Sequence, residues 1–201
     1  SISGTLAQGQ TLTATASDTT DGGLTVNSYQ WKRGSDDISG ANNSTYVLNK
    51  DDVGTIVNVT VDYTDNDGNT ETLTSTNTQS VSNVAPSVSQ DMPDITVDED
   101  ANNQVITLTT YFSEPDNDMT FTVVTTNDDL TTATIDTNVL TVAYGENLHG
   151  TSDITVTATD SNEGSIQQTF TITVNQVNDV GSVSISGTLA QGQTLTATAS
   201  D

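Results

Sequence analysis

The first eighteen residues, Ser1–Asp18, read SISGTLAQGQTLTATASD, and Ser184–Asp201 repeat them without a single difference. An exact match of that length marks a tandem repeat, with a unit of 183 residues (184 − 1 = 183). The chain is therefore read as one whole unit followed by the start of its next copy. It begins inside a strand pattern, so the sequence is expected to continue upstream, and no leader peptide informs on its location.

Within the unit two unlike modules are expected, at 1–85 and 86–180, with 181–201 opening the following copy of the first. The boundary is placed at Ser82-Asn83-Val84-Ala85-Pro86-Ser87, where a proline follows a strand pattern, and the second module ends at Asn175–Gly181. Candidate strands in the first module are Gln10–Ala16, Thr25–Arg33, Ser44–Leu48, Thr55–Thr64 and Thr70–Val81. Those in the second are Val105–Phe112, Thr120–Thr126, Val139–Ala143, Asp153–Thr159 and Ser165–Val177. They are rich in Thr, Val, Ile and Tyr with period-two alternation, as in Thr171-Ile172-Thr173-Val174. No segment sustains a helical period. The expected fold class is all-β: two antiparallel Greek-key β-sandwiches in tandem, plus the first strands of a third module.

Charge narrows the partners. Three Lys and Arg face 27 Asp and Glu, a formal net charge of −24. Such a chain is repelled by nucleic acid and anionic membrane surfaces and attracts cations. The acids gather between the apolar-alternating stretches, which argues for folded modules with acidic loops over a disordered acidic tail. With no cysteine there is neither a disulfide framework nor a thiolate metal site. No apolar run reaches membrane-spanning length. His149 is the only histidine and reads as a surface loop residue, so neither a His-rich metal site nor a Ser/His/Asp arrangement has support, and no enzyme is expected.

The first module resembles an immunoglobulin-like repeat of giant bacterial adhesins. The resemblance rests on Gly4-Thr5-Leu6, Gly9-Gln10-Thr11-Leu12, Tyr29-Gln30-Trp31-Lys32-Arg33, Ser44-Thr45-Tyr46-Val47-Leu48, Asp52-Val53-Gly54 and Asp62-Tyr63-Thr64-Asp65-Asn66-Asp67-Gly68. It implies that Trp31 is buried on the third strand, where apolar packing must replace the missing cysteine pair. The second module resembles bacterial cadherin-like repeats through Val97-Asp98-Glu99-Asp100, Phe112-Ser113-Glu114-Pro115-Asp116-Asn117-Asp118, Thr157-Ala158-Thr159-Asp160-Ser161 and Val174-Asn175-Gln176-Val177-Asn178-Asp179. That family implies extracellular, calcium-stiffened stalks in adhesins exported by type I secretion (the RTX type), and hence a bacterial cell-surface location. Two departures stand out. Glu114 replaces the usual Asp, and the linker Asn83-Val84-Ala85-Pro86 has no aspartate, which weakens the case for calcium at the first junction.

Calcium takes six to eight hard oxygen ligands, so acids from several loops must converge at one pole of a sandwich. In the second module, Glu114, Asp116 and Asp118 alternate in one loop and Asp160 opens another. Both loops are expected at the pole facing the first module, and the competing reading is a solvated Pro-Asp-Asn-Asp turn. The opposite pole offers Asp98, Glu99, Asp100, Glu146, Asn178 and Asp179, with Asp201 from the next copy, as a Ca²⁺ site between modules. There the competing reading is a charged edge that discourages sheet association. The first module has Asp18 and Asp21 in one loop and Asp65 and Asp67 in another. Asp65-Asn66-Asp67-Gly68 departs from an EF-hand in its glycine position, and a hairpin turn competes.

The function expected is that of a calcium-stiffened extender whose partners are neighbouring repeats of the same chain. The alternative is that the modules themselves bind a glycan or protein. The chain is expected to be monomeric. A head-to-tail strand swap is the other possibility, because 183–201 supplies only two strands and cannot bury its apolar face alone.

Overall fold

The computed structural model describes residues 1–17, 23–178 and 181–200. The chain is all-β, built from two sets of sheets around two separate apolar cores. In the first, β1 (Ile2–Ser3), β2 (Thr11–Ala14), β3 (Leu24–Arg33), β4 (Asp36–Asp37), β5 (Thr45–Val47), β6 (Val57–Asp65) and β7 (Thr70–Thr74) form sheets ordered β1-β2-β5 and β4-β3-β6-β7. Alternation explains the faces. On β6, Val57, Val59, Val61 and Tyr63 are buried, while Thr60, Asp62 and Thr64 lie between them and are less so. The three valines close on Leu12, Trp31 and Leu48, each fully buried. Trp31 thus sits on the third strand as expected, stacked on Tyr46 at a centroid distance of 5.7 Å.

A charged group also lies inside this module. Asp52, fully buried in a short 3-10 turn (Lys50–Asp52), accepts from Arg33 Nε at 3.0 Å and Nη2 at 2.7 Å through Oδ1. Its Oδ2 accepts from the Tyr46 hydroxyl at 2.8 Å and the Asn49 amide at 2.9 Å. Every carboxylate oxygen is satisfied, the condition under which a buried charge is tolerated. Burial works against the Arg33 charge, but the bonds and charge of Asp52 outweigh it and raise the guanidinium pKa.

The second set comprises β8 (Ser87–Val88), β9 (Ile95–Asp98), β10 (Gln104–Thr107), β11 (Phe112–Ser113), β12 (Thr120–Thr125), β13 (Thr131–Asp136), β14 (Val139–Tyr144), β15 (Gly150–Thr159) and β16 (Ser165–Asn175). Its main sheets run β10-β14-β13 and β12-β15-β16-β9, and β8 pairs with β11. The pair β9–β16 is parallel, the exception in an otherwise antiparallel arrangement. The strand expected over Val105–Phe112 is interrupted. Leu108–Thr110 coils into a 3-10 turn that buries Leu108, and Phe112 resumes pairing with Val88. Ile95–Asp98 and Thr131–Asp136 are strands that the sequence reading missed. Each is short and flanked by acidic, Asn-rich segments that read as loop.

β17 (Ser182–Gly187) and β18 (Leu195–Ser200) form a hairpin paired only with itself, exposed along its whole length. Among the described residues no helix is long and apolar enough to cross a membrane.

Candidate cation-binding junction

The acids of the second module end up in two unlike places. At the pole next to the first module, β11 and β12 are joined by the loop that carries Glu114, Asp116 and Asp118, and β15 and β16 by the loop 160–164. The two loops meet, since the Ser161 hydroxyl donates to Asp118 Oδ2. Glu114 and Asp160 are buried, and the Asp118 side chain is only 11% exposed.

The first module supplies the cover. Gln8, itself 1% exposed, donates from Nε2 to Glu114 Oε1 at 2.6 Å and to Asp116 Oδ2 at 3.0 Å. Its Oε1 accepts from the Val84 amide of the linker at 3.2 Å. The Lys50 backbone N–H donates to Asp116 Oδ2, and the Lys50 ammonium lies 3.3 Å from Asp118 Oδ2. From the linker, Asn83 Nδ2 donates to Asp160 Oδ2 at 2.9 Å. The approach is close: a Cβ on Gly164 would stand 2.5 Å from Asp160 Oδ2 and 2.8 Å from both Ala85 Cβ and Asn83 Nδ2. Only a residue without a side chain lets the linker run this near the loop.

The loops also organise themselves. Glu114 Oε2 accepts from the amides of Asp116 at 2.9 Å and Asp118 at 3.3 Å. Asp160 Oδ1 accepts from the amides of Asn162 at 2.9 Å and Gly164 at 2.8 Å. Three oxygens are left over. Asp118 Oδ1, Asn83 Oδ1 and Asn162 Oδ1 are buried with no hydrogen-bond partner. Each such atom costs about 1–3 kcal/mol if nothing satisfies it.

Electrostatics set Glu114 and Asp118 apart. Burial, then the neighbouring charges of Asp118 and Asp116, raises the Glu114 carboxyl above the ordinary range against its two backbone bonds. Burial pushes Asp118 the same way, but the bonds from Ser161 and Lys50 and the Lys50 charge outweigh it and hold that carboxyl low.

The other pole is open. Asp98, Asp100 and Glu146 are exposed and Glu99 half-buried. Their oxygens take backbone and amide donors: Asn175 Nδ2 to Asp98 Oδ1 at 3.2 Å, Val177 N to Glu99 Oε1 at 2.6 Å, and Asn147 N to Asp100 Oδ1 at 3.2 Å. The last bond draws the loop of Glu146 to Asp100. Asn178 is exposed on the segment leaving β16. In the first module Asp65 closes its own hairpin turn. Its Oδ1 accepts from the Asp67 and Asn69 amides and its Oδ2 from Asn69 Nδ2, bonds that lower its pKa, while Asp67 is exposed. Asp18, Asp21, Asp179 and Asp201 lie outside the described residues.

The residue types that sequence reasoning passed over are the neutral ones: Gln8, Asn83 and Asn162. Asn83 occupies the linker whose lack of an aspartate was read as a weakness, yet its amide oxygen is a suitable hard donor. Among the described residues, no three His, Cys, Asp or Glu side chains gather as a metal-holding group by themselves. A cation here would depend on the asparagine oxygens as well as the carboxylates. The donor set of all-oxygen ligands around buried, unpartnered atoms fits Ca²⁺.

No protein-family model and no curated protein matches this chain. Solved structures similar to it include the extracellular cadherin domains 1–5 of protocadherin gamma B2, at 14% identity and a TM-score of 0.39, covering 81% of this chain and 34% of that one. The human desmocollin-1 ectodomain is similar at 14% identity and a TM-score of 0.38, covering 90% and 40%. Immunoglobulin domains 1–4 of Sidekick-1 follow at 12% identity and a TM-score of 0.37, covering 88% and 49%. The chain thus spans between a third and a half of the length of these structures.

Proposed function

We propose that this chain is a calcium-stiffened extender repeat of a large bacterial surface adhesin, acting outside the cell, with the junction between its two modules as a cation-locked joint. The observation that carries this reading is the set of three buried, unpartnered oxygens on Asp118, Asn83 and Asn162, beside the carboxylates of Glu114, Asp116 and Asp160. Asn83 belongs to the linker and the rest to the second module, so anything they share ties the linker to the loops. When bound, Ca²⁺ would supply the positive charge and coordination these oxygens lack.

The chain's own residues prepare the joint. Gln8 and the Lys50 amide hold the Glu114–Asp118 loop against the first module. Asp160 holds the linker through Asn83. The Lys50 ammonium already neutralises part of the Asp118 charge and so competes with an incoming cation. The second pole, with Asp98, Glu99, Asp100, Glu146, Asn178 and Asp179, is proposed to become a calcium site only when the loop of the next module, with Asp201, is folded above it.

Extracellular modules bind calcium with dissociation constants of about 10⁻⁴–10⁻³ M. Binding to the folded state alone adds about 2.7 kcal/mol at a hundredfold excess over that constant. Small-angle scattering with calcium and with chelator tests the reading. A narrower distribution of dimensions and a raised melting temperature are expected in calcium, whereas identical profiles and identical melting would refute it.

A further inference from the structure

The repeat and the hairpin β17–β18 together say what should lie beside Ser1. In the hairpin, Ile185 faces Ala197, and Val183, two residues earlier and on the same face, stands opposite Ala199. The first copy has the same geometry in the same register. Ile2 faces Ala14, and Ser1 and Thr15 exchange bonds of 2.7 and 2.8 Å. Gly4 and Gly187 have φ of 127° and 129°, and a Cβ on either would meet the Thr11 or Thr194 carbonyl at 2.6 Å. The local sequence therefore builds this hairpin the same way in both places.

Subtracting the repeat length from 183 puts a valine immediately before Ser1 in a tandem of this unit, opposite Ala16 (199 − 183 = 16). At that point the structure has a groove of about 230 Å³, lined by Ala14, Ala16, Val59, Val61 and Leu73, with Ser1 and four further Thr and Ser residues completing its wall. Its floor is core, since Val59 and Val61 are 2% and 4% exposed. Its rim is Leu73, an apolar side chain left 42% exposed on β7. Val183 in turn is 73% exposed, on a hairpin that pairs with no other strand among the described residues.

We propose that this groove is the seat of Val183 of the preceding copy, so that the first module completes its core with a residue from the segment leaving the unit before it. In a tandem of this unit the opening strand of the module then starts at the counterpart of Ser182. It also leaves only residues 176–181 between β16 of one unit and the first strand of the next. So short a connection limits how far successive units can reorient, independently of any cation.

The test adds Gly-Ser-Val, the residues 181–183, ahead of Ser1 of the full chain, with Gly-Ser-Ser as the control. Both extensions continue the ladder and should slow amide exchange at Ser17, the counterpart of Ser200, which pairs with Ser182. Only the valine fills the groove. Fluorescence of Trp31, the single tryptophan and buried in the first module, reports that module's melting. The valine extension should melt about 3–5 °C above the serine one. Midpoints equal to within about 1 °C, or an unprotected Ser17 amide in both chains, would overturn the proposal.

Discussion

The two poles of the second module carry similar numbers of acids and use them in opposite ways. At the pole facing the first module, Glu114 and Asp160 are buried, Asp118 nearly so, and a lysine, a glutamine and an asparagine from outside the module are drawn onto them. At the far pole Asp98, Asp100 and Glu146 remain in solvent, and the bonds to Asp98, Glu99 and Asp100 come from donors of the same module. The difference lies in what covers the acids. Solvated carboxylates at one pole are screened by water and salt and carry little energy. Carboxylates covered by a neighbour must be compensated by hydrogen bonds, by Lys50 or by a cation, and compensation links the two bodies.

Substitutions at the two poles should therefore differ sharply. The largest effect is expected for Asp160→Ala, which removes a buried carboxylate and strips acceptors from the Asn162, Gly164 and Asn83 N–H groups. A loss of about 2–4 kcal/mol by denaturant unfolding is expected. Asp98→Ala, the corresponding change at the far pole, should cost no more than about 0.5 kcal/mol, since Asp98 is exposed and has an ordinary strand backbone. Equal costs would break the comparison.

Gly164→Ala comes next, at about 1–3 kcal/mol, because its Cβ must displace the linker or the Asp160 carboxylate. Scattering should show a looser joint in the same variant.

Glu114→Gln sharpens the comparison through its sign. Without calcium, removing a charge that burial disfavours should leave stability unchanged or raise it by about 1 kcal/mol. With calcium, the same variant should lose most of the ion's stabilising effect. Acidity should act likewise. The Glu114 carboxyl is raised in the folded chain, so its contribution to stability is fully present below its unfolded value and is lost as pH rises through the raised one. Asp118 is lowered, so its contribution is present above the unfolded value and is lost as pH falls through the lowered one. Protons should accordingly compete with calcium at Glu114, visible as weaker calcium affinity on acidification. Lys50→Met should change stability by under about 1 kcal/mol, because the Lys50 side chain is itself 45% exposed, with calcium affinity raised by loss of the competing ammonium.

Much of the fold could be read from alternation. Strands such as Ser165–Asn175 and the burial of Trp31 follow from period two and from one large aromatic among Thr and Val. The Arg33–Asp52 pair could not be read that way, because nineteen positions separate two residues that sequence treats as surface charges. The short strand Ile95–Asp98 was hidden by its parallel pairing to β16, which leaves no hairpin signal. At the junction the acids were legible as alternate positions in a loop. What could not be read was which pole would be covered. That depends on Gln8 and Asn83, neutral side chains that become informative only once the modules touch.

The covered pole is proposed as the calcium joint. A calorimetric calcium titration of the whole chain, run beside Asp118→Asn and Asp100→Asn, tests it most directly. Binding at about 10⁻⁴–10⁻³ M is expected, weakened at least about tenfold by Asp118→Asn and unaffected by Asp100→Asn. Absence of binding, or a titration that Asp118→Asn leaves unchanged, would contradict the account.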